Sequence, residues 1–214
     1  MLHALGRTTP LSPHFGVERG TPLDRHYIDR FVSDHAGDIK GRALEFQSDR
    51  YLAEHGRAVD TFDIVDRFGA EGATIVTDLA TDTLIPSASY DCAIVTQVLH
   101  YVYDVQAAVR NLHRVLKPGG VLLATVPAVS RIMVDVEPGG GQGYDDYWRF
   151  TPGSCARLFG DVFGEGATTV HSYGNVLTSM AFLTGVSREE LSPRQLDQRD
   201  PYFPMLLAIR AVRS

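Results

Sequence analysis

The sequence predicts a doubly wound α/β fold, a mostly parallel sheet with helices on both faces. Two observations carry this expectation. Residues 90–127 read as strand, loop, helix, tight turn and strand, which is one βαβ unit. Its strand segments are 93–95, an apolar run as expected of a strand covered on both faces, and 121–126, a second buried strand.

Within that unit the helix starts at Asp104, a good N-cap. Val105, Ala108, Val109, Leu112, Val115 and Leu116 recur at helical spacing and define one buried stripe. Lys117 suits the last turn, Pro118 stops the helix, and Gly119-Gly120 let the backbone reverse.

Residues 1–23, rich in proline and glycine, read as an irregular arm, and 24–214 as one domain. Tyr27, Ile28, Phe31, Val32 and His35 predict a helix over 24–39, with Thr21 or Asp24 as cap. Strands are expected at 42–46, 59–62 and 73–76, with a short helix capped by Ser48 or Asp49 after the first. Later come a glycine-rich loop at 137–143, the aromatic and charged run 144–150, and a helix over 152–163. Strands at 168–172 and 205–212 bracket an apolar helix at 176–184 and a charged segment, 188–200. Seven strands result.

Composition sets bounds. An apolar fraction of 44% and a charged fraction of 21% describe an ordinary globular protein. Net charge is −6 with basic residues scattered, which argues against a nucleic acid partner. No stretch reaches membrane-spanning length and residues 1–10 lack a signal-peptide core, so no membrane partner and a cytoplasmic location are expected. Cys92 and Cys155 read as buried free thiols. No His/Asp/Glu cluster has metal-ligand spacing, so no metal is expected.

Asp91, residues 97–102 (QVLHYV) and 116–120 (LKPGG) before an apolar strand resemble the second half of a class I S-adenosylmethionine (SAM) dependent methyltransferase of type 11. The likeness extends from about Asp24 onward and suggests enzymes of small-molecule or sugar methylation. It implies a Rossmann-like seven-stranded sheet with one antiparallel strand near the C-terminus, and SAM as cofactor. Glu45 then takes the acidic position of the cofactor turn, and Gln47 stands where a glycine is expected, since none follows until Gly56. Asp63, 18 positions after Glu45, would hold the ribose hydroxyls, with Asp66 as the alternative. Asp78 and the N–H of Leu79 would meet the adenine, and Thr96 and Gln97 would close the site past the fourth strand. In the resembled family the N-terminal helix closes over the cofactor. Merely covering the sheet edge is the other reading.

His100 lies where ligands bind, at the carboxyl ends of parallel strands, and its ordinary pKa suits a general base. A packing or capping role is the alternative. The small-molecule acceptor is expected between His100 with Tyr101 and Tyr147, Trp148 and Arg149, under the 137–143 loop acting as a lid. The alternative is an apolar plug in which Arg149 pairs with Asp145 or Asp146. The expected reaction is O-methylation of a small polar acceptor, a sugar or secondary metabolite. The second functional reading is a protein of this fold that has lost methyl transfer and serves another reaction, such as a cyclisation, or a binding role.

Overall fold

The computed structural model describes residues 8–81, 83–133 and 145–214. Its apolar runs form the middle of a seven-stranded sheet: β1 (Lys40–Phe46), β2 (Ala58–Asp66), β3 (Ile75–Val76), β4 (Tyr90–Thr96), β5 (Leu116–Pro127), β6 (Thr168–Tyr173) and β7 (Leu206–Val212). The order is β3-β2-β1-β4-β5-β7-β6. β1 to β5 pair in parallel, and β7 runs antiparallel to both its neighbours.

Helices cover both faces because successive strand residues point to opposite sides. Leu44, Val95 and Leu122 pack with α3 (Val105–Val115) and α4 (Pro152–Phe163). Their sequence neighbours Ala43, Ile94 and Leu123 pack with α1 (Leu23–Asp34), α2 (Arg50–His55) and α5 (Val176–Thr184). A short α6 (Pro193–Asp197) adds Leu196 to that second layer. Cys92 and Cys155 are both buried and free.

Local signals act as read at several points. Asp104 Oδ1 accepts the N–H of Ala107 at 2.9 Å and starts α3. Thr151 and Ser154 close a reciprocal capping box at the start of α4. Other boundaries move. β2 continues through Ile64 and Val65 to Asp66 rather than stopping at 62, because those two apolar residues pair with Glu45 and Phe46. α1 ends at Asp34, and Ala36–Asp38 form a separate 3₁₀ turn. Neither expected residue caps it: Pro22 holds the N-cap position, while the Thr21 hydroxyl bonds Glu189. The LKPGG segment lies inside β5, where Leu116 pairs with Tyr90 before the register slips. Gly119 at φ +80 makes that slip.

The described part of the arm, residues 8–22, lies along the C-terminal third of the chain. Leu11 donates to the Thr184 carbonyl, Arg19 pairs with Glu190 at 2.6 Å, and Pro22 bridges to Ser187. Among the described residues no helix is long and apolar enough to cross a membrane. The 137–143 loop, expected as a lid, lies outside the described residues.

Candidate functional site

β1 and β4 are sheet neighbours whose connections leave in opposite directions, which opens a crevice at their carboxyl ends. Both chains leave the sheet there through a left-handed residue, Gln47 at φ 74 and Gln97 at φ 55. Each still donates one sheet-like bond before turning away, Gln47 to the Val65 carbonyl and Gln97 to that of Thr125, both at 2.9 Å. Such conformations cost a non-glycine residue on the order of 1–3 kcal/mol. The chain makes here, without glycine, the turn for which glycine was expected.

Two cavities open at this crevice. A narrow slot of about 40 Å³ runs between Phe46, Val65, Asp66 and Asp78 on one side and Val98 and Val102 on the other. A larger cavity of about 460 Å³ is bordered by Gln97 and His100 at the strand ends, Asp24 and Arg25 of α1, Phe15 of the arm and Phe182 of α5. Gln47 and Tyr101 border both.

The acid at the slot is Asp66, with Oδ1 accepting the N–H groups of Phe68 and Ala70 at 2.7 and 3.1 Å. Asp63 sits three residues back along β2 and does not line it. Its carboxylate binds Arg42 and the Tyr90 hydroxyl at 2.8 Å and the Thr74 hydroxyl at 3.1 Å. Burial works against that charge, but the three donors hold its pKa below the usual range. Asp78 and Leu79 line the slot, with Arg67 ion-paired to Asp78 at 3.1 Å across the rim.

Glu45 lines neither cavity. Its buried carboxylate accepts the N–H groups of Tyr51 and Leu52 at 3.1 and 2.9 Å, satisfying the start of α2 from inside the sheet. Burial nevertheless pushes its pKa up to about 7. Thr96 is buried opposite Thr125 and does not border the cavities.

His100 and Tyr101 stand together, ring centroids 3.8 Å apart, on a 3₁₀ turn after β4. His100 is 5% exposed, and its Nδ1 has no hydrogen-bond partner among the described residues. Desolvation, only partly opposed by nearby Asp146, lowers its pKa to about 4. Tyr147, Trp148 and Arg149 are near in space but are not brought to the cavity. The N–H groups of Tyr147 and Trp148 bond the His100 carbonyl, and Trp148 Nε1 bonds the carbonyls of Val102 and Tyr103. Arg149 is bidentate on Asp146 at 2.5 and 2.9 Å and also donates to the Arg131 carbonyl at 2.7 Å. That guanidinium holds the chain through the Asp146 pair, the alternative the sequence left open.

Asp24, Arg25, Phe15 and Phe182 are among the cavity residues that sequence reasoning missed. One signal was present for the first pair, since Asp24 and Arg25 fall off the apolar stripe at the first turn of α1. No group of three or more His, Cys, Asp or Glu able to hold a metal occurs among the described residues.

Residues 47–124, the segment that forms this crevice, match the sequence model of the methyltransferase domain family. Over that segment the chain resembles a methyltransferase domain, and its seven-stranded sheet has the fold of the class I SAM-dependent methyltransferases. A probable polyketide synthase 7 of Dictyostelium discoideum is 33% identical to this chain over 73 residues, covering 34% of it. The chain spans only about 3% of the length of the curated synthases it matches. Among solved structures, the 1,6-didemethyltoxoflavin N1-methyltransferase of Burkholderia thailandensis, with bound S-adenosylhomocysteine, is 16% identical at TM-score 0.55. That match covers 92% of this chain and 81% of the other. The [4+2]-cyclase SpnF is 15% identical at TM-score 0.52, covering 99% and 90%. These likenesses establish the fold.

SAM is the cofactor of this family, and the residues at the crevice suit it. Asp66 and Asp78 are acceptors for hydroxyl and amino groups beside an apolar slot, and the two glutamine turns separate that slot from the larger cavity. The slot is narrower than a purine, and the Arg67–Asp78 pair stands half-exposed on its rim.

Proposed function

We propose that this protein of methyltransferase fold transfers a methyl group from SAM to a hydroxyl of a small-molecule acceptor. The observation that carries the reading is the pair of cavities sharing Gln47 and Tyr101 at the switch point of the sheet. Such an arrangement separates a cofactor from its acceptor while keeping the reacting atoms adjacent.

In this reading Asp66 takes the ribose hydroxyls in place of Asp63, Asp78 and Leu79 meet the adenine, and the larger cavity takes the acceptor. SAM, when bound, supplies an electrophilic methyl on a cationic sulfur that is a good leaving group. The protein aligns the acceptor, excludes water and removes its proton. His100 is held neutral above about pH 5 and accepts a proton directly.

Calorimetric titration with SAM tests the cofactor half, and micromolar-to-millimolar binding is expected. His100→Ala should keep that affinity and lower turnover by roughly 10²–10⁴-fold, and turnover within a few-fold of wild type would reduce His100 to packing.

One observation favours a second reading, a reaction without methyl transfer: the cofactor turn lacks glycine, and Glu45 is spent on the N–H groups of Tyr51 and Leu52. Absence of S-adenosylhomocysteine among the products of an active preparation would select it.

A further inference from the structure

We propose that Phe15 selects the acceptor, and that the acceptor is a planar aromatic compound bearing a hydroxyl. This rests on the methyl-transfer reading above and names its substrate class. Phe15 is a bulky residue held at φ 60, in the left-handed region that side chains of its size avoid. Strain of this kind persists only where the surroundings over-determine it. They do so here. Ser12, itself buried, accepts the N–H groups of His14 and Gly16 at 3.1 and 3.0 Å. Gly16, at φ +82, is pressed so closely on the Gly185 carbonyl that a Cβ would come within 2.8 Å of it.

What the strained backbone achieves is the placement of one ring. Phe15 stacks on Phe182 with centroids 5.5 Å apart and planes 26° apart, and the Arg131 guanidinium carbon lies 4.6 Å from its centroid. Both rings border the 460 Å³ cavity, with Val17 and Met133 beside them. Gln47, Gln97 and His100 from the strand ends, Asp24 and Arg25 of α1, and Ser130 form the polar side of the same cavity. A ligand satisfying both kinds of lining has an apolar body and a polar edge. A sugar carries hydroxyls around its whole ring, so those turned to the wall of Phe15, Phe182, Val17 and Met133 would lose water without gaining partners there. A flat ring gains an aromatic pair with Phe15.

The chemistry at His100 agrees. A buried imidazole whose conjugate acid is strong is a weak base. A phenolic proton, with a pKa of about 10 as in tyrosine, demands far less of it than an aliphatic alcohol does. The proton passes from the phenolic oxygen to the imidazole, that oxygen forms the new bond to the methyl carbon, and the electron pair of the broken C–S bond stays on sulfur as a neutral thioether.

The test uses 2-naphthol, whose fluorescence reports its own binding, and methyl α-glucoside as competitor, on protein saturated with S-adenosylhomocysteine. Phe15→Gly removes the ring while glycine accepts the same φ, so the arm keeps its path, and a thermal melt verifies this. Expected are binding of 2-naphthol to wild type, an affinity about tenfold or more weaker in Phe15→Gly, and no displacement by the glucoside. Unchanged naphthol affinity in the variant, displacement by glucoside, or no naphthol binding beside intact S-adenosylhomocysteine binding would each overturn the inference alone. Failure of wild type to bind S-adenosylhomocysteine would overturn the methyl-transfer reading and this inference with it.

Discussion

Asp63 and Asp66 differ by three positions and by everything that surrounds them. The apolar run before Asp63 suggested a strand ending there. In fact Asp63 belongs to an Arg42–Tyr90–Thr74 network and Asp66 closes the strand. The sequence could not separate them because a carboxylate paired with side chains inside a strand and one bonded to the turn at its end look the same without the partners. Asp66→Ala should weaken SAM binding about tenfold or more, as expected for loss of a charged hydrogen-bond acceptor. Asp63→Ala should leave that affinity within about threefold and cost about 1–2 kcal/mol of stability. Calorimetry and urea unfolding on both variants check the pair, and the reverse pattern would return the ribose to Asp63. Glu45 makes a residue-scale prediction in pH. Its folded pKa of about 7 stands above the ordinary 4.5, so the native state holds a proton that the unfolded state has released. The stability this contributes is complete below about pH 4.5 and is lost as pH rises to about 7. Glu45→Gln cannot titrate, so wild type should lose on the order of 3 kcal/mol relative to it between pH 4.5 and 8, read from urea midpoints.

Elements with local signals were legible. Asp104 before α3, Thr151 with Ser154 before α4, and the apolar stripes of both helices announce themselves within a few residues. The 145–150 segment was not legible in this way. Its aromatic and charged side chains read as a binding pocket, yet they tie the segment down over the His100 turn. Composition alone does not distinguish the two uses, because both require aromatic surface and paired charge. The tie makes its own prediction. Asp146 is 1% exposed at its side chain and depends on Arg149. Arg149→Ala leaves that carboxylate buried and unpaired and should cost about 3 kcal/mol. It should also speed amide exchange at residues 99–103, and Arg149→Lys should recover part of the loss. Unchanged exchange there would mean that the 3₁₀ turn under His100 is held by β4 alone.

At the scale of the whole molecule, the parallel half was readable because buried strands are continuous apolar runs and strand–helix–strand units admit essentially one handedness. The cavity was not, since it is assembled from the arm, α1, α5 and two strand ends that lie far apart in sequence. Cys92 and Cys155 test the integrity of both layers together. Burial holds the Cys92 thiol far above its ordinary range and pushes Cys155 up to about 12. Folded protein should leave both thiols unmodified by a disulfide reagent at pH 8, while urea-unfolded protein reacts at two per chain. Fast labelling of either in the native state would mean that its layer opens locally.

The position of β7 between β5 and β6 has a consequence in time. During synthesis β6 emerges before the strand that must lie between it and the sheet. Until residues 206–212 clear the ribosome, β6 has no edge to pair with and β5 is an exposed border. The five parallel strands can assemble first, but the clasp of Arg19 on Glu190 and of Pro22 on Ser187 closes loops of well over a hundred residues. A nascent chain therefore carries His100 long before it has a chamber around it.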